Sequence, residues 1–223
     1  MTHPLVIHVA LARVGSPVAE EALARWASDG DRQGTRRAVG LLCRALLRGV
    51  LAGSTRIPTN WRIGKTAAGK PFVEHGDSAD APSVSLSHSG TWSACAVSFE
   101  GDVGIDIERL RCDRDLSEIA AWAFGPLECG EVAEEGCERF YAIWTLREAM
   151  AKVRGTGIAM VADRKDRVAG RAYDDFRHLS IDDESWHVMH QRPNLDLSLA
   201  VALRLPADGF HRKPVLRWWF AEP

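Results

Sequence analysis

Two rhythms of apolar and polar residues run along the chain. Leu5 to Ala12 is apolar and partly β-branched, which predicts a strand. Pro17 to Ala27 reads as a helix stopped by Ser28-Asp29-Gly30. A second helix starts after Asp31 and runs to about Leu51, with Val39, Leu42, Leu46 and Val50 at helical spacing and Gly53-Ser54 as the stop. Gly64 to Pro82 is loop-rich, with a turn at Gly69-Lys70-Pro71. Val84 to Ser87 and Ser93 to Phe99 read as strands. The short polar turn Glu100-Gly101-Asp102 leads into a third, Val103 to Glu108, and the last two are expected to pair as a hairpin. Beyond Glu108 the pattern is helical in patches until a strong helix from Cys137 to Arg154, ended by Gly155-Thr156-Gly157. Asp163 to Asp183 is polar, with strand propensity only near Ala172-Tyr173. Trp186 to His190, Ser198 to Leu205 and Leu216 to Phe220 read as closing strands. The order strand, helices, strands, helix, strands predicts an α+β fold without an internal linker, one half-pattern used twice.

Composition narrows the class. The chain has 223 residues, 46% hydrophobic and 26% charged, enough for a buried core and against wholesale disorder. No apolar run approaches the roughly 20 residues of a membrane span. Met1-Thr2-His3-Pro4 lacks the basic and long apolar regions of a secretory leader. A formal net charge of -2 argues against a nucleic-acid binder. The five cysteines are odd in number and contain no C-x-x-C pair, which predicts free thiols in a reducing, cytoplasmic setting.

The candidate chemistry lies in carboxylates. Alternation in Val103-Gly104-Ile105-Asp106-Ile107-Glu108 puts the three apolar residues on one face and Gly104, Asp106 and Glu108 on the other. Two like charges side by side need open water or a cation between them, and the glycine is expected to leave open space for a ligand. On the helix, Tyr141, Thr145, Glu148 and Lys152 share a stripe beside the apolar Phe140, Ile143, Trp144 and Ala151. Three carboxylates without a His or Cys partner suit a hard cation, Mg2+ before Ca2+, and a lysine one turn along suits a phosphate. Taken singly, each feature has a plainer reading: solvated strand residues, or a surface pair at i, i+4 that contributes little.

The combination is more specific. Val103 to Glu108, followed by Trp144-Thr145-Leu146-Arg147-Glu148-Ala149-Met150-Ala151-Lys152, resembles the bipartite signature of the 4'-phosphopantetheinyl transferases, and Glu148 follows Asp106 by 42 residues. Ser85-Leu86-Ser87-His88-Ser89-Gly90 resembles the family's S-H-S motif, and Gly69-Lys70-Pro71 its G-K-P motif. Length, and Glu108 two residues after Asp106, resemble the surfactin-synthetase-activating (Sfp-like) branch. Arg147 departs from the family's usual lysine before the helix glutamate.

The resemblance implies an enzyme of holo-[acyl-carrier-protein] synthase type. It would move the 4'-phosphopantetheine arm of coenzyme A to a serine of an apo carrier protein and release 3',5'-ADP. The attacking oxygen comes from the carrier, so no nucleophile of the chain is needed. Asp106, Glu108 and Glu148 would hold Mg2+ (or Mn2+). Glu148, directly or through a water on the metal, would be the base, and Lys152 would meet the departing phosphate. Arg36 or Arg37 and His88 would reach the 3'-phosphate of coenzyme A, and Ser87 with Lys70 the remaining phosphates or the ribose. The acidic carrier would dock on Arg109 to Phe124, including Arg111, Arg114 and Trp122. The implied architecture is two pseudo-symmetric halves, 1–106 and 107–223, each a small antiparallel sheet on a long helix, with coenzyme A in the cleft of a monomer. Two other classes stay open: an Mg2+-dependent phosphodiesterase or nuclease using the same carboxylates with water, and a turnover-impaired homologue that binds coenzyme A or carrier, with Arg147 as its hint.

Overall fold

The computed structural model describes residues 5–29, 37–53, 61–67, 69–74, 81–155, 175–181, 184–205 and 213–219. Arg36, the Ala172-Tyr173 dipeptide and Thr156-Gly157 lie outside them. Ten strands are described: β1 (Leu5–Arg13), β2 (Arg62–Lys65), β3 (Pro71–Glu74), β4 (Ser83–Ser89), β5 (Trp92–Ser98), β6 (Asp102–Arg109), β7 (Arg177–Ile181), β8 (Glu184–Gln191), β9 (Leu197–Arg204) and β10 (Pro214–Trp218). The helices are α1 (Pro17–Trp26), α2 (Ala38–Ala52), α3 (Leu116–Ala123), α4 (Pro126–Glu135) and α5 (Cys137–Arg154). The α+β class is as the sequence predicts.

Two four-stranded sheets stack face to face. Their orders are β10-β1-β5-β4 and β6-β9-β8-β7, with β2-β3 as a separate hairpin. Leu5, Ile7, Val9 and Leu11 of β1 meet Val103, Ile105 and Ile107 of β6 and Leu199, Val201 and Leu203 of β9 in a core between the sheets. On the outer face of the first sheet, Ala10, Ala12, Cys95 and Val97 pack on α1 and α2 through Ala19, Ala22, Leu42 and Leu46. On the outer face of the second, Trp186, Val188, Ala200 and Ala202 pack on α5 through Phe140, Ile143, Leu146 and Met150. The layers therefore run helix, sheet, sheet, helix. The strands are buried on both faces, which is why several read as apolar runs instead of clean alternation. The closing strand β10 returns to pair in parallel with β1, so the last segment of the chain completes the first sheet.

Three expectations are corrected. The hairpin expected from Ser93–Phe99 and Val103–Glu108 does not form. β5 is already flanked by β1 and β4, while β6 pairs antiparallel with β9, so the turn at Glu100-Gly101 carries the chain from one sheet to the other. The loop-rich stretch from Gly64 contains strands β2 and β3, joined through the expected Gly69 turn, where φ is +83°. The polar segment before Trp186 contains β7, paired with β8.

The cysteine expectation is also corrected. Cys112 and Cys137 form a disulfide with their Cα atoms 5.4 Å apart, and the remaining three are free. It ties the loop after β6 to the first residue of α5. No described helix is long and apolar enough to cross a membrane.

Candidate active site at the β4, β6 and α5 junction

The helix that bears Glu148 and Lys152 is set on β6 by a glycine. Gly104 is buried, and a Cβ there would stand 1.9 Å from the Ala149 carbonyl oxygen. The glycine does not open room for a ligand, as its place beside two carboxylates suggested. It lets the α5 backbone ride directly on the strand. Asp106 and Glu108 lie on this same helix-facing side, because Val103, Ile105 and Ile107 fill the core between the sheets. Gly155, left-handed at φ +71°, ends α5 where the sequence placed the stop.

Within the junction, Lys152 is the hub. Its Nζ donates to Asp106 Oδ1 at 2.7 Å, to Ser87 Oγ at 2.8 Å and to the Ile105 carbonyl at 3.0 Å. Ser87 in turn donates its hydroxyl proton to Asp106 Oδ1 at 2.8 Å. Asp106 is 4% exposed, and its second oxygen, Oδ2, is buried with no hydrogen-bond partner. A buried carboxylate oxygen left without a partner is costly. Glu108 is held on its other flank by Ser89, whose hydroxyl donates to Oε2 at 2.6 Å.

Glu148 feels both acids. Burial, then Asp106 and Glu108, push its carboxyl up to about 7, against the pull of Lys152. Burial, helped by Asp106, also raises Glu108, while Ser89, Lys152 and Arg114 lower it. Among the described residues no three acidic, His or Cys side chains are drawn up as a finished metal cluster. Asp106 is instead neutralised by Lys152, and Glu108 leans on Ser89. The donor chemistry still fits a hard cation: an all-oxygen set with one orphaned buried oxygen and a third carboxylate that its neighbours keep from ionising readily.

Behind Glu108 the helix is pinned to β9. Thr145 Oγ1 and Ser198 Oγ lie 3.1 Å apart, and His190 Nε2 lies 2.8 Å from Ser198 Oγ. Tyr141, on the same stripe of α5, lines a hollow of about 600 Å³ with Ser89, Glu108, Arg109, Arg111 and Arg114. Burial raises its phenol above the ordinary value, and Glu108 adds to the rise.

The other sequence candidates fall in different places. Ser87 is at the hub. His88, one residue on, is exposed on the opposite face of β4. Its cross-strand partner Ser93 donates to the Val39 carbonyl, so His88 and the exposed Arg37 at the start of α2 share a corner of the first sheet. Lys70 donates to the Val153 carbonyl at 2.8 Å in the last turn of α5, where a cation suits the helix end. Its ammonium pKa is lowered by burial. Arg147 points away from the junction. Its guanidinium lies 2.5 Å from Glu128 of α4 in a pair almost wholly buried, and stacks over Phe124. Trp144 is a packing residue, as expected, stacked on Phe140 at 5.7 Å.

Sequence reasoning gave no role to Ser89 or to Cys43, whose thiol donates to the Ser87 carbonyl. For Ser89 the signal was present: Ser83, Ser85, Ser87 and Ser89 recur at a period of two.

With this geometry in view, comparison with known proteins defines the class. The family model of the 4'-phosphopantetheinyl transferase superfamily matches residues 102–202, the span from β6 through β9. The 4'-phosphopantetheinyl transferase psf-1 of Bacillus pumilus is 31% identical over 178 residues, covering 77% of this chain and 73% of that protein. The chain belongs to the 4'-phosphopantetheinyl transferase superfamily. The 4'-phosphopantetheinyl transferase HetI of a Nostoc species is 31% identical over 125 residues, 54% of this chain and 53% of its own length. AcpT of Salmonella typhi, likewise named a 4'-phosphopantetheinyl transferase, is 37% identical over 129 residues, 55% of this chain and 62% of its own. The matches thus span between half and two thirds of these last two relatives.

Proposed function

We propose that this chain transfers the 4'-phosphopantetheine arm of coenzyme A to a serine of an apo acyl, peptidyl or aryl carrier protein, releasing 3',5'-ADP. In this reading it is a holo-[acyl-carrier-protein] synthase type enzyme of the Sfp-like branch, built of two pseudo-symmetric halves and acting as a monomer. The observation that carries the reading is the junction of Asp106, Glu108, Glu148 and Lys152, with one buried carboxylate oxygen unmet.

Asp106, Glu108 and Glu148 would hold Mg2+, or Mn2+ in its place. When bound, that cation would neutralise phosphate charge at the reacting centre. The residues of the chain do the rest. Lys152, already a donor to three oxygens, is placed to exchange part of that set for a phosphate oxygen and to stabilise the departing 3',5'-ADP. Glu148, directly or through a water, would take the proton of the carrier serine. Ser87 holds Asp106 and Lys152 in register. His88 and Arg36 or Arg37 would reach the 3'-phosphate of coenzyme A, and Ser87 with Lys70 the remaining phosphates or the ribose.

The carrier would dock beside Glu108. Arg111 and Arg114 line the hollow there, and Trp122 (59% exposed) and Leu127 (68% exposed) offer apolar contacts on α3 and α4. Carriers are acidic, so arginines around a small apolar patch are the complementary surface.

Intact-mass spectrometry of a panel of apo carrier proteins, incubated with the protein, coenzyme A and Mg2+, tests the proposal. One carrier should gain the mass of the phosphopantetheine arm, and EDTA should stop the gain. Coenzyme A cleavage at equal rate without a carrier would instead establish a phosphodiesterase. Binding without any gain across the panel would establish the turnover-impaired class. That class rested on Arg147, which is engaged with Glu128 in the core.

A further inference from the structure

Strand β6 is the edge of the second sheet, and its outward backbone N–H groups would be left open there. They are closed by side chains. Ser83, Ser85, Ser87 and Ser89 of β4 each accept one of them through a hydroxyl oxygen, from Val103 at 3.0 Å, Ile105 at 3.1 Å, Ile107 at 3.3 Å and Arg109 at 3.0 Å. The two sheets are thus joined by a ladder of serines, one hydroxyl every second residue.

A hydroxyl that accepts still has one proton to place. What it meets depends on the preceding residue of β6. Opposite Ser85 that residue is Gly104, which has no side chain to receive the proton. Opposite Ser87 it is Asp106, at 2.8 Å, and opposite Ser89 it is Glu108, at 2.6 Å. Asp106 has Lys152 as a second tether. For Glu108, a long side chain at the end of the strand, Ser89 supplies the hydrogen bond that orients the carboxylate. The hydroxyl itself is locked from behind by the Arg109 N–H.

We propose that Ser89 is a positioning residue for the transfer reaction: it clamps Oε2 of Glu108 and leaves Oε1 for the divalent cation. This rests on the reading of Glu108 as a metal ligand. Partners that orient a metal-binding carboxylate typically change metal affinity by about 10-fold to 100-fold when removed. Ser85 is the internal control. It makes the same backbone contact, is more deeply buried at 2% exposed, and touches no carboxylate of β6.

The test is an Mn2+ titration of the full chain followed by electron paramagnetic resonance, with folding checked by circular dichroism. Ser89→Ala should weaken Mn2+ binding about 10-fold and raise the Mg2+ concentration for half-maximal transfer by the same factor. Ser89→Thr, which keeps the hydroxyl, should bind as the wild type does. Ser85→Ala should lose stability yet bind Mn2+ normally. If alanine opens the seam, Ser89→Val against Ser89→Thr, equal in shape, makes the same comparison. Wild-type affinity in Ser89→Ala, or an equal loss in Ser85→Ala, overturns the inference alone. A wild-type chain that binds no Mn2+ overturns it together with the metal reading.

Discussion

Replacing Glu148 by glutamine should make the metal-free protein more stable at neutral pH, and should abolish the proposed transfer when Mg2+ is supplied. The cause is electrostatic. Burial and two neighbouring acids raise the Glu148 pKa from an ordinary 4.5 to about 7. Between those values the native state holds a proton that the unfolded chain has released, so stability falls as pH rises through the window. A shift of this size corresponds to about 3 kcal/mol for a fully buried group. Glu148 keeps partial access to water, so screening reduces the figure to roughly 1–2 kcal/mol. Urea unfolding of wild type and Glu148→Gln in EDTA, across pH 4.5 to 8, reads the difference, because titrating groups not coupled to Glu148 cancel. The glutamine variant should gain on the wild type by roughly 1–2 kcal/mol over the interval. Adding Mg2+ at pH 8 should recover the loss in the wild type and not in the variant. A difference that does not change with pH, or that favours the wild type at pH 8, refutes the assignment of Glu148 to a crowded acidic site.

Three further outcomes follow from the packing. Reducing Cys112–Cys137, which closes a 25-residue separation, should cost about 3.5 kcal/mol of unfolding free energy on the chain-entropy account, and Cys112→Ser should be insensitive to dithiothreitol. Gly104→Ala drives a methyl against the Ala149 carbonyl, so it should lose about 3 kcal/mol of stability, with transfer falling as the helix lifts; unchanged melting would contradict the contact. Arg147→Ala removes the guanidinium that lies 2.5 Å from the buried Glu128 carboxylate, at a cost of about 3–5 kcal/mol. The pair replacement Arg147→Met with Glu128→Leu should recover most of it, because both charges then leave the core together.

What the sequence made legible follows from how local each signal is. The α5 helix reads correctly from Cys137 to Arg154 because its apolar spacing is long and Gly155 caps it. The shared face of Asp106 and Glu108 follows from strand period alone. The pairing of β6 did not follow, since a short turn predicts a hairpin only when the facing edge is free, and β5 has both edges taken by β1 and β4. Gly104 was misread for a related reason: an open position on a strand and a position filled by a helix backbone look the same in one dimension. The disulfide was hidden by an odd cysteine count, with three thiols left over. The serine ladder stood in plain sight as a period of two. Its meaning depends on a neighbour 20 residues away, as in the Ser87 to Ile107 contact.

In the proposed function, Asp106, Glu108 and Glu148 converge on one divalent cation. A crystal of the full chain with Mn2+ and coenzyme A, measured at the manganese edge, tests it most directly. A single anomalous peak is expected in contact with oxygens of all three carboxylates, Asp106 Oδ2 among them. A peak bound only to the phosphates, or to a site without Asp106, would contradict it.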